Sequence, residues 1–122
     1  MKLFAILGAV LGGLGVAAGA FGAHALRAQL EPRMLEVFET AVRYHMYHAL
    51  ALFAAAWLQQ QTLAQSASVA GWAFVAGILL FSGSLYLMAF TGVRGLGAIT
   101  PVGGAAFLVG WLALAAAASQ LR

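Results

Sequence analysis

The chain has 122 residues, a length for one domain, with 64% hydrophobic residues, 7% charged residues and a mean hydropathy of +0.96. A soluble domain carries roughly 25% charged residues, so this chain could not cover an aqueous surface, and its apolar exterior implies a bilayer as solvent. The net charge of +3 rests on six basic and three acidic residues, too few and too scattered for nucleic acid, and the lack of cysteine excludes disulfides, thiolate metal sites and cysteine nucleophiles.

Four apolar stretches follow one another: Leu3–Ala23, Ala41–Leu58, Val69–Phe90 and Pro101–Ser119. Each is about 20 residues long, the length needed to cross the hydrocarbon core. The reading is therefore all-α, a four-helix transmembrane bundle, with residues 1–122 forming one integral membrane domain.

In the first stretch, Gly8, Gly12, Gly15, Gly19 and Gly22 step by 4, 3, 4 and 3. That 3.5-residue repeat keeps one small-residue stripe facing a partner helix and lets backbones approach. Lys2, the apolar run and Ala23-His24-Ala25 also fit a cleaved signal peptide, but the length and the glycine stripe favour a packed span. The first link is different in kind. Pro32 opens a helix, and nothing stops it before Gln59, so helix two is expected over 32–58. Its first ten residues form an amphipathic extension at the membrane interface. Glu39 stands four residues before Arg43, the favourable order for a pair.

On a helical wheel at about 100° per residue, Glu36, Glu39, Thr40, Arg43, Tyr44, Tyr47 and His48 share one half of helix two. Phe38, Ala41, Val42, His45, Met46 and Ala49 share the other. Polar groups at this depth are costly without partners and face the bundle, so the strip is expected to turn toward helices one and three. Gln59–Ser66 is a short polar link. Helix three carries Ala73 and Gly77 as a weaker small-residue pair, and Thr91–Thr100, with three glycines, is a turn. Thr100 and Pro101 read as N-cap and first helical residue of helix four, which repeats the small stripe at Gly103, Ala106, Gly110, Ala113 and Ala117.

With four spans, Arg27, Arg33, Arg43 and Arg94 fall on one side and Lys2 and Arg122 on the other. Basic residues favour the cytoplasm, which puts both termini outside. The arginine side also gathers His24, Glu39, Arg43, Tyr44, Tyr47, His48, Ser84, Tyr86 and Arg94, the expected polar cluster. Arg43 and Arg94 stand at the level of lipid phosphates. Tyr44, Tyr47, Trp57, Trp72 and Trp111 read as interface anchors or lipid-facing bulk.

Gly19–Leu26, Phe38–Leu50, Ser82–Tyr86 and Ile99–Gly104 together resemble the signature stretches of the domain-of-unknown-function family numbered 423. These are small multi-pass bacterial membrane proteins with an animal relative called transmembrane protein 256. The resemblance spans essentially the whole chain and implies a four-helix membrane protein in the bacterial inner membrane. It places His24, Glu39, Arg43, Tyr44, Tyr47, His48, Ser82, Ser84, Tyr86, Thr100 and Pro101 on signature positions. His45 stands where many relatives carry glutamine. The resemblance brings no activity with it.

The leading functional expectation is non-enzymatic: binding of a lipid headgroup, small ligand or membrane partner at the polar cluster. There is no aspartate, no Ser–His–Asp spacing and no phosphate loop. One alternative is a metal or haem site using His24, His45 and His48, whose latter pair has i, i+3 spacing. Another is a small homodimeric transporter, for which the chain offers no clear mid-membrane ionisable group beyond His48. The sequence assigns no cofactor.

Overall fold

In hydrocarbon, every backbone N–H and C=O must be satisfied within the chain. The computed structural model, which describes residues 2–122, meets that demand with helices, and no strand occurs among the described residues. Helix α1 spans Lys2–Leu26 and ends in a π turn over Gly22–Leu26; α2 spans Pro32–Gln61. Helix α3 spans Ser66–Thr91, with a π turn at Ile78–Ser82. A 3-10 turn at Arg94–Ala98 leads into α4, Thr100–Ala118.

The boundaries have local causes. Pro32 begins α2 at a position where no N–H is required. Thr62 ends it in an extended conformation, and its backbone N–H and its hydroxyl both donate to the Leu58 carbonyl at 2.9 and 2.8 Å. Gly92, at φ +73°, takes the left-handed conformation that closes α3. One expectation changes here: Thr100 is not the N-cap of α4 but its first residue, following Ile99. Its hydroxyl is engaged 2.7 Å from Ser84 Oγ on α3.

Helix α2 lies against both α1 and α3, and α4 packs chiefly on α3. The main core gathers Phe4 of α1, Leu52 and Ala55 of α2, Phe74 and Ile78 of α3, and Phe107 of α4. Helix α1 is thus built into the core through Phe4. Three helices, α1, α3 and the 25-residue segment Arg94–Ala118, are long and apolar enough to cross a membrane. The expected fourth apolar span, α2, does not reach that standard, because Arg43, Tyr44, His45, Tyr47 and His48 dilute its apolar part. It is also the helix with the largest set of buried side chains. Enclosure by protein is what lets it be the least apolar of the four.

Residues 32–40 continue α2 without interruption, and Met34 and Phe38 are buried against Leu85, Met88, Leu26 and Ala89. Its buried face runs unbroken from Met34, Phe38 and Ala41 through His45, His48 and Leu52.

Aromatic rings seated in glycine notches join the helices. Phe38 of α2 fills the space over Gly22 of α1, and Phe4 of α1 that over Gly71 of α3. Phe107 of α4 lies over Gly77 of α3, and Phe74 of α3 over Gly110 of α4. Along the α1 stripe, Gly8, Gly15, Gly19 and Gly22 face α2, whereas a side chain at Gly12 would meet nothing within 4 Å. The tightest approach is at the π turn of α3. A π turn swells the helix locally, and here the Phe81 backbone presses on Gly103 of α4: a Cβ there would stand 2.7 Å from Phe81 Cα.

Gly103→Ala therefore forces backbone apart, an overpacking loss of about 1–3 kcal/mol, whereas Gly12→Ala gains helix propensity of up to about 1 kcal/mol. The thermal midpoint of the detergent-solubilised protein is expected to fall for Gly103→Ala and to hold or rise for Gly12→Ala. Equal effects from the two would show that the notch at Gly103 is not a packing constraint.

Candidate functional site

Helix α2 carries two imidazoles one turn apart, and the structure sends them in different directions. His45 is buried toward α1 and α3, its Nε2 2.7 Å from the Leu11 carbonyl and its Nδ1 2.8 Å from the Tyr86 hydroxyl. A carbonyl only accepts, so Nε2 carries the proton and donates to Leu11. Nδ1 then accepts from Tyr86. Gly15, one turn beyond Leu11, lets α2 approach here: a Cβ would collide with Met46 and stand 3.5 Å from His45 Cδ2. One imidazole thereby ties α1, α2 and α3 together. A second tie lies one turn earlier on α2, where the fully buried Ser82 hydroxyl of α3 donates to the Ala41 carbonyl at 2.8 Å.

His48 is buried toward α4. Its Nδ1 is 2.7 Å from the Tyr44 carbonyl, and the Trp111 indole N–H donates to its Nε2 at 3.0 Å. Its proton therefore sits on Nδ1, the opposite tautomer to His45. The ring lies flat on Phe107, with centroids 3.5 Å apart and 7° between planes. Phe107 and Trp111 are four residues apart, so both reach His48 from one face of α4.

Around this stack opens a groove of about 580 Å³, lined by Tyr44, Tyr47, His48 and Leu50 of α2, Phe81 of α3, and Gly104, Phe107, Leu108 and Trp111 of α4. Tyr44 packs on Phe81 at 4.6 Å and edge-on to Tyr47 at 5.8 Å. The wall is almost wholly aromatic and aliphatic; the polar atoms are the two tyrosine hydroxyls and the edges of His48 and Trp111. The volume falls within the range of about 300–1,000 Å³ usual for small-molecule sites. The groove is open on its outer side, since Tyr47 is 54% and Trp111 45% exposed.

The expected polar cluster divides into separate groups. Tyr44, Tyr47 and His48 form the groove. Ser84 pairs with Thr100, and Tyr86 with His45. Glu39 and Arg43 line a different crevice, between α1 and α2. His24 and Arg94 are exposed, on the π turn of α1 and in the turn after α3. The polar strip of α2 does not face helices one and three as expected. Glu36, Glu39, Arg43, Tyr44 and Tyr47 are exposed, and of the strip only His48 is buried. The reason is that Phe38, Ala41, His45 and Ala49, on the opposite half, pack better against glycine-lined neighbours. The expected Glu39–Arg43 pair does not form either. Arg43 Nη2 donates to Thr40 Oγ1 at 3.2 Å, and no ion pair within 4.0 Å occurs among the described residues.

His24, His45 and His48 do not converge, and no group of three metal-binding side chains occurs among the described residues. Both nitrogens of His45 and of His48 are already engaged, in opposite directions. Sequence reasoning took Trp111 for an anchor and overlooked Phe81 and Phe107. The i, i+4 spacing of Phe107 and Trp111 was the available signal, but nothing in a single chain says which helix an aromatic face will meet.

Among known families, one described as "Protein of unknown function (DUF423)" matches residues 18–104. The chain is 50% identical over 119 residues to the UPF0382 membrane protein YwdK of Bacillus subtilis (strain 168), covering 97% of each. It is 47% identical over 114 residues to the UPF0382 membrane protein SH2409 of Staphylococcus haemolyticus, and 46% to SAB0533 of Staphylococcus aureus, covering 93% of each chain in both cases. No solved structure matches. The chain belongs to this family of membrane proteins of unknown function.

The two tautomers are open to direct measurement. In histidine labelled with 15N, His45 is expected to show its proton on Nε2 and His48 on Nδ1, with Trp111→Phe altering only the His48 signals. A shared tautomer for the two rings would contradict the hydrogen-bond assignments. Tyr86→Phe removes one interhelical bond and is expected to cost about 0.6–1.5 kcal/mol of stability, the range for such bonds in membranes, read as a lower thermal midpoint.

Proposed function

We propose that the chain is a multi-pass membrane protein in which all four helices span the bilayer as one domain, and that its groove binds an amphipathic lipid. Helix α2, with 30 residues, is about 45 Å long at 1.5 Å per residue. The hydrocarbon core is about 30 Å thick, so the charged residues 31–39 project into the interface while 41–58 cross. The arginines at 27, 33, 43 and 94 put that end in the cytoplasm and the termini outside, in the bacterial inner membrane. Helix α2 is hidden on one side by α1 and on the other by α3, which supports its crossing despite its polar residues.

The observation that carries the binding proposal is the groove's composition at its depth. From Tyr44 to Leu50 is about 9 Å along α2, starting beside Arg43 at the interface. The tyrosine hydroxyls stand at the mouth and the apolar wall runs inward. A polar head meets Tyr44 and Tyr47, and one acyl or isoprenoid chain lies along Phe107, Leu108 and Trp111. The site holds no carboxylate, and both His48 nitrogens are engaged by Tyr44 and Trp111, so no free base stands beside the tyrosine hydroxyls, which supports binding as its role.

Two experiments test this. A lipid with a diazirine in its chain is expected to crosslink mainly at Leu50, Leu108 and Trp111. Gly104→Leu, at a position with room for a side chain, should suppress that labelling several-fold without lowering the thermal midpoint. Uniform labelling around the bundle, including the outer face of α1 at Val10 and Leu14, would reduce the groove to ordinary lipid contact. For topology, the natural chain lacks cysteine, so single cysteines can be introduced at will. A membrane-impermeant maleimide added to intact cells is expected to label Gln120→Cys and spare Gly95→Cys; the reverse pattern would invert the orientation.

A further inference from the structure

A second concavity lies on the other side of α2, where α1 leaves the membrane. It measures about 300 Å³ and runs between Gly19 and Gly22 of α1 and Phe38 of α2, with Arg27, Arg43 and Glu39 around it. The glycines keep its floor low: a Cβ at Gly19 would already touch Val42, at 3.4 Å, and one at Gly22 would collide with the Phe38 ring. The crevice therefore lies over the α1–α2 contact, and the two guanidinium groups come from α2 and from the residue that follows α1.

Neither arginine is neutralised. Arg43 gives one N–H to Thr40 at 3.2 Å, which leaves four of the five donors a guanidinium carries. No carboxylate lies within 4.0 Å of either arginine among the described residues, although Glu39 lines the same crevice. Two guanidinium charges against one carboxylate leave a single positive charge. The bundle thus holds, at headgroup depth, a cleft with two uncommitted planar donors and a charge of one to balance. Guanidinium groups match phosphate oxygens bidentately, and a phosphodiester carries one negative charge.

We infer that the Arg27–Arg43 crevice is a binding site for a singly charged phosphate group, presented by an anionic phospholipid of the cytoplasmic leaflet. It goes beyond the groove on the opposite face of α2 and shares no residue with it. Glu39 gives the site selectivity. It repels a more highly charged headgroup, while a choline head, zwitterionic and without net charge, leaves the crevice's single positive charge unbalanced.

Native mass spectrometry of the full chain from nanodiscs tests this, using phosphatidylglycerol and phosphatidylcholine in equal amounts. Wild type is expected to retain phosphatidylglycerol preferentially. Each basic residue near the surface contributes about 1 kcal/mol toward an anionic lipid, so Arg27→Gln with Arg43→Gln should lower that retention by about tenfold or more. Arg94→Gln, on the same membrane side but outside the crevice, should leave it intact. In a second arm, inorganic phosphate is added to the detergent-solubilised protein. If phosphate alone shifts the Arg43 side-chain resonances, and the Arg27→Gln variant abolishes the shift, the site is upheld with free phosphate as its source. Equal losses from Arg94→Gln and from the double variant would overturn the inference, because a diffuse basic surface then explains retention. So would unchanged retention in the double variant while its thermal midpoint matches wild type.

Discussion

Hydrocarbon offers no solvent to a side chain that wants hydrogen bonds, and a buried polar group without a partner costs about 2–7 kcal/mol. Helix α2 carries two such imidazoles within one turn, so the rest of the bundle is arranged around satisfying them. His45 takes the Leu11 carbonyl and the Tyr86 hydroxyl, and His48 takes the Tyr44 carbonyl and the Trp111 indole. Between them these bonds reach all three other helices. Each is worth little alone, about 0.6 kcal/mol on average for interhelical bonds in membranes. Their leverage comes from the cost of leaving the rings unmatched, which penalises any packing that moves α1, α3 or α4 away from α2.

The glycines are the complement of that constraint. At Gly15 a Cβ would collide with Met46, the residue next to His45, so the glycine lets α2 come close enough for His45 to sit beside the Leu11 carbonyl. Elsewhere the notches admit phenyl rings rather than bare backbone. Phe4, Phe38, Phe74 and Phe107 each occupy the space of a missing side chain on a neighbouring helix. Without a hydrophobic drive between helices in lipid, packing of this kind is what holds a bundle together. At Gly103 the fit has no slack, because the opposing surface is the Phe81 backbone itself, pushed forward by the π turn.

The two concavities follow from the same geometry. Both flank the first half of α2, whose outer side is polar. One is aromatic and opens between α2 and α4, while the other is cationic and opens between α1 and α2.

Composition and periodicity by themselves determined that the chain is helical and belongs in a bilayer, where its helices begin and end to within a turn, and that glycine stripes pack. These are local properties: 64% hydrophobic residues leave no aqueous alternative, Pro32 and Gly92 act on their own turns, and a 3.5-residue step is visible in one dimension. Family membership was legible too, through short signature stretches. Only the tertiary structure decided which half of α2 is inside. Judged by polarity alone, the Glu39–Arg43–Tyr44 half should hide and His45 should lie among apolar neighbours; the packing does the reverse for all but His48. The physical reason is that burial depends on what the facing helix offers. Gly15, Tyr86 and Trp111 are distant in sequence from the residues they serve, and no pattern within α2 records that a carbonyl, a hydroxyl and an indole N–H are waiting at the correct heights.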